Sequence, residues 1–235
     1  MCPAMADMKQ LVLDIALASD PTFANFFVGP NEAAFDHLVL CASASAQPPV
    51  PTYLWGLEAS GKSHLLKAVS EALRGHGASS GWMDASMHEP PAFNESWSAV
   101  ILDDCHLYTL AQQRAAFNWF VNALSTDDGQ PRWVVAAGNV PPADLPLRED
   151  LRTRLGWGHV FALQALGEAE RRAVLQRAAG ARGVVLNEEV MDFMLRRFSR
   201  DLGSLMQLLD SLDAYALLTQ RAITIPLIKT MLESE

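Results

Sequence analysis

The sequence predicts an α/β protein, a central parallel sheet flanked by helices with a smaller all-helical domain after it. Three observations carry this. Short apolar runs alternate with helix-length amphipathic patterns between residues 52 and 163. Two of those runs, SAVILD at 98–103 and RWVVAA at 132–137, are too evenly apolar to have a wet face, as strands covered on both sides must be. After Gly167 only helical patterns remain. Of the 235 residues, 50% are hydrophobic and 19% charged, enough apolar surface to offset chain entropy.

In chain order, methionines stand at 1, 5 and 8 and the informative pattern begins only after Met8, so a start later than Met1 fits the text. The turn-rich stretch TFANFFVGPN leads into a helix over 33–44 with Asn31 as its cap, which SAQPPVP then breaks. A strand is predicted over 52–55, a helix over 62–74, a weaker strand over 80–84 and a buried strand over 98–103. A helix over 111–124 puts Ala116, Phe117, Phe120, Val121 and Leu124 on one face. The strand at 132–137 follows, then PP, a short helix around 147–155 and a last strand at 160–163. Parallel strands joined by crossover helices follow from this alternation. Helices at 168–179, 188–199, 202–219 and 226–232 make the second domain, punctuated by Gly180, Gly183 and Pro226.

The charge excludes some functions. Eighteen Lys and Arg against 27 Asp and Glu give −9, the wrong sign for a protein that grips phosphate backbones directly. No run approaches 18 consecutive apolar residues and no leader pattern opens the chain, so a cytoplasmic protein without a membrane span is expected. Cys2, Cys41 and Cys105 lack metal or disulfide spacing and read as small apolar residues.

Gly56-Leu-Glu-Ala-Ser-Gly-Lys-Ser63 fits GxxxxGK[ST] between a predicted strand and a predicted helix, the context a phosphate-binding loop requires. Its backbone N–H groups and the helix dipole would face phosphate oxygens, Lys62 would add a point charge, and Ser63 a hydroxyl for Mg²⁺. Asp103 and Asp104 end a buried strand, and Asp103 is the better candidate for the metal. Asp104 is either a group that orients water or a solvated strand-end acid. Asn139 after the 132–137 strand is either a sensor of the γ-phosphate or a turn-forming Asn. Arg148, Arg152 and Arg154 form a solvated helix face or supply one arginine to a neighbour's phosphate, and spacing does not choose among them. QLVLDI at 10–15 is either an edge strand or an extended peptide that docks into another protein's pockets.

Taken together, QLVLDI, TFANFFVGPN, YLWGLEASGKSHLL, ILDDCH, DLRTRLGWG and RDLGSLMQLLDSLDAYAL with AITIPLIK resemble the AAA+ family, in its replication-initiator DnaA branch. The resemblance covers nearly all of the chain after Met8 and is closest to the branch's regulatory members. It implies an AAA+ α/β domain over 23–165, a helical lid over 166–235 and a clamp-binding segment over 1–22. It implies ADP or ATP held by Gly56, Glu58, Ala59, Ser60, Gly61, Lys62, Ser63 and His64, with Mg²⁺ at Ser63 and Asp103. Asn139 then matches the first sensor, Asp103 and Asp104 the metal-binding pair, and Arg154 the arginine finger. Gln10, Leu11, Leu13 and Ile15 match the motif that binds the β sliding clamp of DNA polymerase III. Proteins of this kind sit on the DNA-loaded clamp and insert the finger into ATP-bound DnaA, which then hydrolyses its ATP; DNA is met only indirectly. Two departures stand out. The second-sensor arginine of the family falls at Gly203, next to Arg200, which counts against tight ATP turnover by this chain. The basic domain that follows the lid in DnaA has no counterpart before Glu235. An autonomous ATPase or loading factor is the rival reading, and a homodimer is one arrangement the sequence leaves open.

Overall fold

The computed structural model describes residues 20–43, 50–125, 129–198 and 202–233. They form two compact units, Pro21–Leu166 and the residues from Gly167 onward.

The first unit is built on five parallel strands, β1 (Thr52–Trp55), β2 (Ser79–Met83), β3 (Trp97–Leu102), β4 (Trp133–Gly138) and β5 (His159–Ala162), in the order β2-β3-β4-β1-β5. Four helices cover it: α1 (Glu32–Ser43), α2 (Lys62–Gly75), α3 (Leu110–Leu124) and α4 (Glu149–Leu155). Alternation along the strands sorts the core into two layers. Leu54, Ile101 and Val135 pack with Leu38 of α1 and Leu65, Leu66 and Val69 of α2. Tyr53, Val100, Leu102 and Val134 pack with Trp119 and Phe120 of α3 and Leu151 and Leu155 of α4. Both faces of the central strands are dry, which explains their evenly apolar sequences.

Two local expectations change. Asn31 does not cap α1, because a 3₁₀ turn over Gly29–Asn31 carries the chain into helical geometry before the cap position. Its buried side chain instead donates from Nδ2 to the Gln164 carbonyl at 3.0 Å and accepts from the Gln164 N–H at 2.8 Å. The buried stripe of α3 is Gln112, Gln113, Ala116, Trp119, Phe120 and Ala123, while Phe117, Val121 and Leu124 are half-buried. Two glutamines sit inside because each finds backbone partners: Gln112 Nε2 donates to the carbonyls of Asp84, Ala85 and Met87, and Gln113 Nε2 to that of Tyr108.

The second unit is helical: α5 (Glu168–Ala181), α6 (Glu188–Arg197), α7 (Leu202–Thr219) and α8 (Ile225–Glu233). Val190, Met194, Leu212, Leu227, Ile228 and Met231 form its main core. Asn187 caps α6 by accepting from the Val190 N–H at 2.8 Å, and Arg182 pairs with Asp210 of α7 at 2.6 Å. Among the described residues no helix is long and apolar enough to cross a membrane.

Candidate functional site: a phosphate loop and an arginine groove

The loop Gly56–Gly61 leaves β1 and enters α2. Two glycines are dictated by close approach. A Cβ on Gly56 would lie 2.4 Å from the Leu163 carbonyl oxygen, and one on Gly61 would lie 2.8 Å from the Phe26 ring. Gly61 also has φ +94° and Ala59 φ +61°, left-handed conformations of the kind that turn successive N–H groups toward an anion. No side chain caps the first turn of α2, so its N–H groups and dipole are free for a phosphate. Ser60 Oγ is buried in the loop without a hydrogen-bond partner. Lys62 is buried, and Nζ donates to the carbonyls of Gly56 and Leu57, each at 2.9 Å. Burial lowers its pKa, while Asp104, Asp103 and Glu58 oppose that loss. Backbone cradle, orphaned hydroxyl and buried cation together fit the phosphates of a nucleotide.

Asp103 lies just past the end of β3 and is 5% exposed. Burial raises its pKa; a hydrogen bond from Ser63 opposes the rise, and the Asp104 charge adds to it. The Asp104 N–H donates to Asp103 Oδ1 at 3.0 Å, from a residue held at φ +47°. Ser63 and Asp103 thus bring two hard oxygen donors together, the chemistry Mg²⁺ takes. Among the described residues no cluster of three His, Cys, Asp or Glu forms a cage.

Asn139 is exposed directly after β4. The Gly56 N–H donates to the Gly138 carbonyl at 3.3 Å, which places Asn139 one residue from a contact with the loop. Tyr53 fixes this corner: its hydroxyl donates to the Val140 carbonyl at 2.8 Å and leaves no room for a Cβ on Gly138.

Three features here were not legible beforehand. His64 Nε2 lies 3.0 Å from the Thr22 carbonyl and its ring 5.3 Å from that of Phe26. Phe26 in turn stacks on Phe35 at 5.8 Å, and with its contacts to His64 and Gly61 the TFANF segment lies over the start of α2. His106 stands among Asp104, Lys62 and Glu58 with its pKa lowered by burial and its Nδ1 buried without a partner. Only tertiary packing reveals these positions. Gln10, Leu11, Leu13 and Ile15, and Arg200, lie outside the described residues. Gly203 is the second residue of α7.

A second feature is the groove beside α4, about 680 Å³, lined by Phe117, Arg148, Asp150, Thr153, Arg154 and Trp157 among others. Leu151 and Leu155 anchor α4 in the core, and Gln113 Oε1 accepts from the Arg148 N–H at 3.0 Å, tying the helix start to α3. The structure separates the three arginines. Arg148 pairs with Asp150 at 2.6 Å, and Arg152 is not part of the groove lining. The Arg154 guanidinium carbon lies 5.2 Å from the Phe117 ring centre, 5.9 Å from Phe120 and 5.2 Å from Trp157.

Comparison with known proteins places both units. Residues 168–232 match the family model described as Hda, lid domain. Domain III of the replication initiation protein DnaA from Thermotoga maritima superposes with a TM-score of 0.71 at 22% identity, over 92% of this chain and 97% of that one. AMPPCP-bound DnaA from Aquifex aeolicus gives 0.61 at 18% identity, over 82% and 64%. RuvB from Thermotoga maritima gives 0.62 at 15% identity, over 91% and 72%. The chain therefore has the fold of these AAA+ structures, and its helical unit matches the Hda lid model.

Proposed function

We propose that this chain is a cytoplasmic regulator of chromosome replication that stimulates ATP hydrolysis by DnaA and so prevents re-initiation. It holds ADP or ATP with Mg²⁺ at its own phosphate loop. It docks on the DNA-loaded β sliding clamp through Gln10, Leu11, Leu13 and Ile15, and it donates Arg154 to the nucleotide of ATP-bound DnaA. The observation that carries the reading is the state of Arg154: among the described residues it makes no ion pair, and its cation rests on ring faces at the edge of an open groove. The lid match and the DnaA-like fold support the choice of partner.

The chemistry follows from charge. When water attacks the γ-phosphorus and the bond to the bridging oxygen breaks, negative charge spreads over the transferring group, and an arginine placed there is worth about 10³ to 10⁵ in rate. In this chain the loop amides, Lys62 and Ser60 would hold phosphates, and Ser63 and Asp103 would hold Mg²⁺. Bound Mg²⁺ would neutralise phosphate charge. Asp104 and Asn139 line the same end of the sheet, where water would be placed. The nucleotide's role is then to order the loop.

A second reading has its own observation: the Ser63–Asp103 hydrogen bond assembles the equipment of an ATPase, and the chain would then turn over its own ATP. One experiment separates them. DnaA preloaded with labelled ATP is incubated with clamp-loaded DNA and this protein, and the label is followed. Faster decay of DnaA-bound ATP, lost when Gln10 and Leu11 are changed to Ala, supports the regulator. Unchanged decay, together with multiple turnovers per minute by the isolated chain, supports the ATPase.

A further inference from the structure

We infer that Trp157 is a positioning residue for Arg154, holding the guanidinium by its face so that all of its N–H donors stay available to a phosphate. The inference rests on the reading of Arg154 as the group donated to DnaA's ATP, and it concerns how that arginine is kept ready.

A long, flexible arginine in a groove that also holds carboxylates is normally captured by one of them, which uses donors and cancels charge. Glu149 and Asp150 both line this groove. Asp150 is already engaged: Arg148 donates to its Oδ2 at 2.6 Å and the Leu151 N–H to its Oδ1 at 2.8 Å. Arg154 is held instead by the rings of Phe117, Phe120 and Trp157. A ring face attracts the cation and takes none of its in-plane donors.

Of the three rings Trp157 has no other evident task. Phe120 is fully buried in the core and Phe117 packs against the same layer, whereas Trp157 is 63% exposed. The backbone turn that carries it is fixed. The Trp157 N–H donates to the Arg154 carbonyl at 3.2 Å. The following Gly158 passes so close to the Pro51 carbonyl that a Cβ would lie 1.8 Å from its oxygen. The turn is thereby anchored to the strand layer on one side and to Arg154 on the other.

The test uses the full chain. In the isolated protein the Arg154 Nε–H resonance, assigned by its loss in Arg154→Ala, is expected to carry a ring-current shift that Trp157→Phe largely retains and Trp157→Ala reduces to what Phe117 and Phe120 supply. In the DnaA assay Trp157→Ala is expected to lower the maximal decay rate of DnaA-bound ATP about two- to fivefold, the range for an exposed cation–π contact, with the half-maximal concentration unchanged. Trp157→Phe restores the rate, and on an Arg154→Ala background Trp157→Ala changes nothing further. Because Trp157 is exposed, folding of the variants is not at risk, and an unchanged melting temperature checks this. The inference is overturned if Trp157→Ala leaves both resonance and rate as in wild type. It is also overturned if only the half-maximal concentration rises, or if the loss persists in full without Arg154; either would make Trp157 a direct partner contact. An Arg154→Ala protein that stimulates like wild type would sink the donor reading itself, while the resonance still decides whether Trp157 holds the arginine.

Discussion

Replacing Gly56 by Ala tests how the phosphate loop is built into the sheet. Its φ is not left-handed, so alanine meets no backbone strain there and the whole effect comes from space. The added Cβ falls 2.4 Å from the Leu163 carbonyl oxygen, where ordinary contact begins near 3.4 Å, so loop and neighbour must part by roughly 1 Å. Leu163 has little freedom to recede, because its own N–H donates to the Trp55 carbonyl at 2.6 Å. Overpacking costs about 1–3 kcal/mol and loss of that hydrogen bond about 1 kcal/mol more. At roughly 2–4 °C per kcal/mol for a chain of this size, the melting temperature should fall about 5–15 °C. The shift also moves the loop amides, so nucleotide binding fails with it. Thermal melts with and without ADP and Mg²⁺ read both effects: at a ligand excess of about 100 times Kd the wild type gains about 2.7 kcal/mol, and Gly56→Ala gains nothing. A variant that melts like wild type and keeps the full ADP increment would refute the geometry. One that melts lower but keeps the increment would refute the coupling between loop and β5.

Asn31→Asp, a good helix cap, should cost as much stability in urea melts as Asn31→Ala, about 1–2 kcal/mol, because a carboxylate has no donor for the Gln164 carbonyl; recovery of stability by Asp would mean that Asn31 caps α1 after all. Asp103→Asn should raise the melting temperature of the nucleotide-free protein at pH 7 and weaken the Mg²⁺ contribution to nucleotide stabilisation. The sign follows from a folded-state pKa raised above 3.8 by burial: the native state binds the proton more readily, so stability from this group is full below that pH and lost as pH rises through the folded value. The gap between variant and wild type should therefore narrow toward acid; a gap that widens would contradict the assignment.

What was legible in the sequence was what depends on period and on local chemistry. The evenly apolar runs at 98–103 and 132–137 announced buried parallel strands, and GLEASGKS between a strand and a helix announced the loop. What was not legible depends on partners far away in the chain. Asn31 has the side chain of a cap, and only the strand β5 exit, 133 residues on, gives it a different task. Gln112 and Gln113 fall outside the expected apolar face and are buried because backbone carbonyls, that of Met87 from a distant loop and that of Tyr108 just before the helix, accept from them. The three arginines of LRTRLGWG and its flank look equivalent as text; Arg148 and Arg154 both lie over Phe117 of α3, but Arg148 is paired with Asp150 while Arg154 has the Trp157 ring of the GWG turn. His106 and Phe26 carry no sequence signal for their places beside the loop.

The central claim is that Arg154 acts on a nucleotide held by another protein. The most direct measurement is the single-turnover decay of ATP prebound to DnaA on clamp-loaded DNA, comparing wild type with Arg154→Ala and Arg154→Lys at saturating concentration. At least a hundredfold loss of stimulation is expected with Ala, given the roughly 10³ to 10⁵ an arginine supplies to phosphoryl transfer, and little rescue by Lys, which lacks the planar fork. ADP binding by the variants themselves should be unaltered. Full stimulation by Arg154→Ala would contradict the account.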